Sequence, residues 1–167
     1  MALLSQSYIG TDKTCLEITL QRPEVLNALN RALLAEFKDT LQNLGSPKIL
    51  IIRGAGERAF SAGADLKERA QMSLDDTRAF LKLINQVFNL IENLPMPTVA
   101  YINGLALGGG LELALACDMR VMAPHAQVGL TECALGIIPG AGGTGRLPKI
   151  IGYAKACEII FLSLIHI

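Results

Sequence analysis

Two acidic residues and two runs of small residues are the parts of this 167-residue sequence whose types and spacing could do chemistry. Glu112 stands in Leu111-Glu112-Leu113-Ala114-Leu115-Ala116, directly behind Gly108-Gly109-Gly110. A carboxylate in so apolar a helix is costly unless something compensates it. Glu132 lies in Val128–Ile138, and no other charge occurs between Arg120 and Arg146. A lone acid in such a stretch suits a tuned proton donor or acceptor. Blander roles stay open: Glu112 as a first-turn glutamate stabilised by the helix dipole, and Glu132 as a cap or surface carboxylate.

The small-residue runs are Ser61-Ala62-Gly63-Ala64-Asp65 and Leu107-Gly108-Gly109-Gly110-Leu111. Each follows a β-like run, and the C-terminal ends of neighbouring parallel strands share one sheet edge, where α/β proteins bind ligands. Small residues there let a ligand approach backbone N–H groups, and a helix starting after Gly110 points its free N–H groups and positive dipole end the same way. Such a place suits an oxygen that gains negative charge. The same glycines could instead serve tight packing or left-handed turns.

Gly140-Ala141-Gly142-Gly143-Thr144-Gly145 formally satisfies G-x-G-x-x-G, a weak signal alone. A dinucleotide fingerprint should follow a strand and open a βαβ unit, but Pro139 precedes this run and too little chain remains for a second strand. His125 sits in a polar turn and His166 in an apolar tail, and no ligands stand at metal-binding spacing.

The elements that must position these residues are legible from periodicity. Ser7–Ile9 and Cys15–Gln21 read as strands joined by a turn at Gly10–Lys13. Asn30 caps a helix with Leu33, Leu34, Phe37, Leu41 and Leu44 at helical period, ended by Gly45 and Pro47. Lys48–Arg53 and Thr98–Ile102 read as strands buried on both faces. Between them a capping box at Ser73 and Asp76 opens a helix with Phe80, Leu83, Ile84, Val87, Ile91 and Leu94 on one side. Leu111–Ala116 reads as a further helix, with short strands at Asp118–Met122 and Gln127–Val128. Such alternation predicts an α/β fold in one domain, with a largely parallel sheet and right-handed crossovers.

Composition narrows the function. Fifteen basic residues balance fifteen acidic ones, which gives no broad positive field for a nucleic-acid backbone. Cys15, Cys117, Cys133 and Cys157 are widely spaced among apolar neighbours and read as buried reduced thiols. No leader pattern and no run of about 20 apolar residues is visible, so no membrane partner is expected and a soluble cytoplasmic protein is the default. Residues 1–163 form the expected core. Residues 164–167 read as an atypical tail, an interrupted or non-native end, with an apolar patch expected near Ile159–Ile167.

The same motifs carry a resemblance. Ala62-Gly63-Ala64-Asp65-Leu66-Lys67, Asn103-Gly104-Leu105-Ala106-Leu107-Gly108-Gly109-Gly110-Leu111-Glu112-Leu113 and Pro139-Gly140-Ala141-Gly142-Gly143-Thr144 resemble the crotonase (enoyl-CoA hydratase/isomerase) superfamily in identity, order and spacing, as does Leu26-Asn27-Ala28-Leu29. Glu112 and Glu132 stand 20 positions apart, as in the hydratase branch. The resemblance implies a spiral of β-β-α units with its C-terminal helical part missing. It implies that the amides of Ala64 and Gly109 hold a thioester oxygen, that Glu112 activates water, and that Glu132 delivers a proton. Ala28, Ala62, Asp65, Leu66, Lys67 and Gly140 would contact the coenzyme A thioester. Coenzyme A enters as part of the substrate, so no separate cofactor is implied. The full-length protein would be a homotrimer or hexamer, in the cytoplasm or, after processing, the mitochondrial matrix.

Gly145 stands where the family commonly has glutamine, and Glu24 where some members have a basic residue. An isomerase, another enolate reaction, an inactive truncated product, and a structural or RNA-binding role are the rival readings.

Overall fold

The computed structural model describes residues 2–10 and 12–166. Its elements in chain order are β1 (Leu4–Ile9), β2 (Cys15–Leu20), a 3-10 turn at Pro23–Val25, α1 (Arg31–Gln42), β3 (Ile49–Gly54), β4 (Ala59–Ser61), α2 (Leu66–Arg69), α3 (Leu74–Glu92), β5 (Thr98–Ile102), β6 (Leu105–Leu107), α4 (Gly109–Leu115), β7 (Met119–Met122), β8 (Val128–Gly129), a 3-10 turn at Glu132–Leu135, α5 (Gly143–Ile151), α6 (Tyr153–Phe161) and β9 (Ile165–His166). The first sheet has the order β1-β2-β3-β5-β7, antiparallel only between β1 and β2, and the second has the order β4-β6-β8-β9, antiparallel only between β8 and β9.

The chain therefore climbs in repeats. A long strand of the first sheet is followed by a short strand of the second and then by helix: β3-β4-α2-α3, then β5-β6-α4, then β7-β8 and the helices behind it. This is the spiral of β-β-α units that the resemblance implied. One sheet was expected from the hydrophobic runs. The second escapes them because β4, β6, β8 and β9 are only two or three residues long, too short to show a period.

The first sheet is buried on one face, not two. Leu16, Ile18, Leu20, Leu50, Ile52, Ala100 and Ile102 are buried and join one core with Leu33, Leu34 and Phe37 of α1, Phe80, Ile84, Val87 and Phe88 of α3, and Leu113 of α4. Ile51, Arg53, Val99 and Tyr101 alternate to the other face, where they are only half-buried and the Arg53 guanidinium lies 5.5 Å from the Tyr101 ring centre. The aliphatic run Ile49–Ile52 does not distinguish one covered face from two, because β-branched residues suit a half-exposed pleat as well.

The predicted caps are present. The Asn30 side chain accepts from Leu33 N, and Ser73 and Asp76 form the capping box of α3. Pro148 lies inside α5, and Gly152 separates α5 from α6. Only Cys117 among the cysteines is fully buried; Cys15, Cys133 and Cys157 are half-buried and all four are free thiols. Leu164–His166 is integrated rather than loose, since β9 pairs with β8; Ile167 lies outside the described residues. Near this end Ile159 and Ile160 are buried, while Phe161, Leu162 and Ile165 are exposed. Among the described residues no helix is long and apolar enough to cross a membrane.

Two buried asparagines hold the corners where the chain passes between sheets. Asn27 accepts from Arg22 N (3.0 Å) and donates to the carbonyls of Ala55 (3.0 Å) and Ala59 (2.9 Å). Asn103 accepts from Gly54 N and donates to the carbonyls of Gly54 and Gly56. Gly54 between them has no room for a side chain, since a Cβ would strike the Ala59 and Phe60 carbonyls and the Asn27 amide. Removing the Asn27 amide strands buried backbone groups at a residue held at φ 54°, a conformation that asparagine tolerates better than alanine. Asn27→Ala is expected to lower stability by about 3 kcal/mol, read as a shifted denaturant midpoint at unchanged slope.

Candidate active site

The loops after β4 and β6, parallel neighbours in the second sheet, meet as the small-residue runs suggested. After β4, the chain makes a parallel bridge between Leu29 and Ala64: Leu29 N donates to Gly63 O (2.7 Å) and Asp65 N donates to Leu29 O (2.9 Å). In such a bridge the N–H of Ala64 itself faces away from Leu29. After β6, Gly108 (φ 51°) turns the chain into α4, which begins at Gly109. Neither the Ala64 nor the Gly109 N–H has an acceptor among the described residues, and both residues line one cleft of about 560 Å³.

The two loops touch backbone to backbone. A Cβ on Gly63 (φ 87°) would lie 2.7 Å from Leu107 O and 2.9 Å from Gly109 N, one on Gly109 would lie 3.6 Å from Ala64 N, and one on Gly110 would collide with the Ser61 carbonyl. Ser61 sets the first loop, donating to Asn27 O (2.9 Å) and accepting from Gly63 N (3.2 Å). Two adjacent unpaired amides at a helix start form a donor pair for one oxygen that carries negative charge.

Glu112 is 2% exposed on the first turn of α4. Its Oε1 accepts from the N–H groups of Ala141 (2.8 Å) and Gly143 (2.8 Å), in the loop entering α5. Burial pushes its carboxyl up, while the Gly143 and Ala141 amides and the Arg146 charge pull it back. Arg146 in turn donates to Ala141 O (2.9 Å) and pairs with Glu92 (2.6 Å) and Asn89 (2.9 Å) on α3. It thereby fixes the loop whose amides hold Glu112. These bonds also settle the glycine-rich run at Gly140–Gly145: its amides serve a protein carboxylate, and no strand leads into it.

Glu132 opens the 3-10 turn at Glu132–Leu135 and lines the same cleft as Glu112. Its Oε2 is buried without a hydrogen-bond partner, and Oε1 lies 3.0 Å from where a Cβ on Gly108 would stand. Burial pushes the Glu132 carboxyl up to about 7; a bond to its own amide pulls it part of the way back, and the charge of Glu112 adds a smaller upward push. The pair thus holds two carboxyls in one apolar cleft whose walls are Phe80, Leu81, Ile84, Ile137 and Ile138.

Gly140 also lines the cleft, and its carbonyl accepts from Asn85 of α3 (2.9 Å). Ala28, Ala62, Asp65, Leu66 and Lys67 are not brought to its walls. Ala28 is buried with its carbonyl on Arg22, and Ala62 N donates to Leu26 O (2.9 Å). Asp65 is committed to structure: it pairs with Arg22 (2.9 Å) and caps α2 at Lys67 N and Glu68 N. Leu66 and Lys67 are exposed on α2 beside the Ala64 loop. Two arginines escaped sequence reasoning. Arg146 could have been flagged as the charge that ends the apolar stretch after Glu132, whereas Arg69, on the cleft wall, sits in a charge-rich segment that hides it. His125 lies beside the Asn103 carbonyl (3.1 Å). Among the described residues no three His, Cys, Asp or Glu side chains group as metal ligands.

A spiral α/β domain with an unpaired amide pair and two carboxyls in one apolar cleft defines a class of protein that can stabilise an oxyanion while moving protons. The family model described as enoyl-CoA hydratase/isomerase matches residues 10–164, and the chain belongs to that family. It is 46% identical over 159 residues to the human mitochondrial enoyl-CoA hydratase domain-containing protein 2, covering 93% of this chain and 54% of the relative. It is 52% identical over 138 residues to human mitochondrial methylglutaconyl-CoA hydratase, covering 81% of this chain and 41% of that protein. The crystal structure of enoyl-CoA hydratase from Bacillus anthracis superimposes with a TM-score of 0.95 at 44% identity, over 99% of this chain and 64% of that one. The chain thus spans about half the length of the curated relatives it matches.

The environment of Glu132 makes stability pH-dependent. A carboxyl raised from 4.5 to about 7 on folding keeps its proton in the folded chain, so its contribution is complete below the unfolded value and is lost as pH rises through the folded one. Thermal melts from about pH 5 to about pH 8 are expected to show Glu132→Gln gaining on the unsubstituted chain as pH increases.

Proposed function

We propose that the protein to which this chain belongs is an enoyl-CoA hydratase, adding water across the 2,3-double bond of an acyl-CoA thioester. The observation that carries the reading is the meeting of Glu112, Glu132 and the free amides of Ala64 and Gly109 on one cleft. The thioester oxygen accepts from Ala64 and Gly109. Glu112, its Oε1 held by two amides, uses its other oxygen to take a proton from water as the water oxygen bonds to Cβ. The π electrons move onto the thioester oxygen as an enolate, which collapses as Glu132, holding its proton near neutral pH, protonates Cα. The donor pair acts where charge develops and is worth more in an apolar cleft than in water.

An isomerase needs one carboxyl to carry a proton between two carbons, and Glu132 alone could do that. Glu112 favours hydration, because a second carboxyl held by its own amides has no task in a single-base proton transfer. The names of the relatives support a thioester of coenzyme A as substrate, with no separate cofactor, and the mitochondrial names among them make the matrix as fitting a compartment as the cytoplasm. A homotrimer or hexamer of the full-length protein belongs to the same proposal.

Hydration of a panel of short enoyl-CoA thioesters, by this chain and by a chain extended to full length, tests the reading. Glu112→Gln and Glu132→Gln are each expected to lower kcat/KM by roughly 10²–10⁴-fold, and near-normal rates in both would overturn it. Gly63→Ala, whose Cβ would separate the two loops, is expected to cost about 10²-fold or more. The rate should fall as pH rises through about 7, where Glu132 loses the proton it donates.

A further inference from the structure

One of the two cleft amides is aimed from behind. Gly63 O and the Ala64 N–H belong to a single trans peptide unit, and in such a unit the two point in opposite directions. Leu29 N donates to the Gly63 carbonyl at 2.7 Å, which leaves the Ala64 N–H directed away from Leu29 and toward the cleft that Ala64 lines. A peptide whose carbonyl is already bonded also donates more strongly through its own N–H. The Gly109 N–H needs no such support, because the first turn of α4 fixes it. The donor pair is therefore unequal: one amide is held by a helix, the other by Leu29, which lies outside every named strand and helix.

Arg22 holds Leu29 from both sides. Its Nη1 donates to the carbonyl of Ala28, the residue before Leu29, and its Nη2 pairs at 2.9 Å with the carboxylate of Asp65, whose own N–H donates to Leu29 O. The guanidinium so closes a circuit of bonds through Ala28, Leu29 and Asp65, and the Gly63–Ala64 peptide rests against that circuit. Arg22 is itself anchored, its N–H donating to Asn27 Oδ1 (3.0 Å) and its carbonyl accepting from Asn27 N (2.8 Å).

The side chains of the ion pair are only 13% and 14% exposed, so salt screens it weakly. Burial works against the charge of Asp65, but Arg22 and the amides of Glu68 and Lys67 outweigh it and hold the carboxyl below the usual range. The two oxygens of Asp65 divide the work. Oδ1 accepts from Lys67 N and Glu68 N and caps α2, while Oδ2 is given to Arg22.

Resting on the hydratase reading above, we propose that Arg22 is a positioning residue for the oxyanion-binding pair: through Ala28 and Asp65 it holds Leu29 against the Gly63–Ala64 peptide and sets the aim of the Ala64 N–H. The donor acts on charge that develops during the reaction, so a mis-aimed amide weakens the transition state more than it weakens binding of the neutral thioester. Loss of Arg22 shows in kcat rather than in KM.

The test uses Arg22→Met, Arg22→Lys, Asp65→Asn and the double variant Arg22→Met with Asp65→Asn. In hydration of but-2-enoyl-CoA by the full-length protein, Arg22→Met is expected to lower kcat by roughly 10- to 100-fold while KM stays within about threefold. Asp65→Asn keeps an oxygen for the α2 cap and is expected to lower kcat less, and Arg22→Lys to retain part of the rate. The double variant is expected to be no slower than Arg22→Met, because both substitutions open the same circuit. A second readout needs no turnover. In the proton–nitrogen NMR correlation spectrum of this chain, the Ala64 amide is expected to shift in Arg22→Met and Asp65→Asn while the Gly109 amide stays in place.

An unchanged kcat, a loss confined to KM, fully additive losses in the double variant, or an Ala64 resonance that does not move would each overturn the assignment and leave Arg22 as a structural partner of Asp65. If Arg22→Met fails to fold, Arg22→Lys and Asp65→Asn are judged by the same criteria. If the unsubstituted full-length protein hydrates no enoyl thioester, the hydratase reading falls, and the Ala64 and Gly109 resonances then decide whether Arg22 aims the amide.

Discussion

The structure turns on one buried carboxylate. Glu112 is almost wholly removed from water on the first turn of α4, and a carboxylate so placed is tolerated only if its oxygens find donors. The donors are the amides of Ala141 and Gly143, so the loop between the Glu132 turn and α5 must fold back over α4. That loop is held by Arg146, which reaches Glu92 and Asn89 on α3. Through this one acid the glycine-led helix, the loop entering α5 and the long helix α3 are tied into a single cleft. The second carboxyl is treated in the opposite way. Glu132 has one buried oxygen that finds no hydrogen-bond partner among the described residues, and this difference in bonding gives two chemically identical groups different environments.

The second requirement is close approach of backbone. Gly63 and Gly110 stand where any side chain would push the β4 and β6 loops apart, and the two amides that face the cleft become neighbours only because nothing separates them. The positioning groups are polar and buried: Ser61 under the first loop, and Asn27 and Asn103 at the corners between sheets. Each is satisfied on most of its bonding capacity, as buried polar groups in a rigid scaffold must be. The cleft is thus tightly hydrogen-bonded beneath the two amides and more open on the side of Ile137 and Ile138, which are exposed at its rim.

Several features of the sequence announced this arrangement, each for a local physical reason. Glu112 and Glu132 stood out because isolated carboxyls in apolar runs need an explanation wherever the chain goes. The Ser61–Asp65 and Leu107–Leu111 runs stood out because so many residues without bulk leave backbone as the available surface. The caps at Asn30 and Ser73 were readable because capping is settled within three residues. The carry-over of ligand contacts to Asp65, Leu66 and Lys67 does not match the walls of the cleft in the same simple way, since Asp65 spends its carboxylate on Arg22 and on the start of α2.

By itself the sequence determined the strands and helices long enough to show a period, the motifs that mark the enoyl-CoA hydratase/isomerase family, and the residue types able to polarise an oxygen and move a proton. Those properties depend on neighbours along the chain. Only tertiary structure decided that two sheets form instead of one, that one face of the larger sheet stays half-open, that Arg146 secures the Glu112 loop, and that Arg69 lines the cleft. Each of these depends on partners brought from distant segments. Arg146 meets residues more than 50 positions away, and a strand of two or three residues exists only because another strand is there to pair with it.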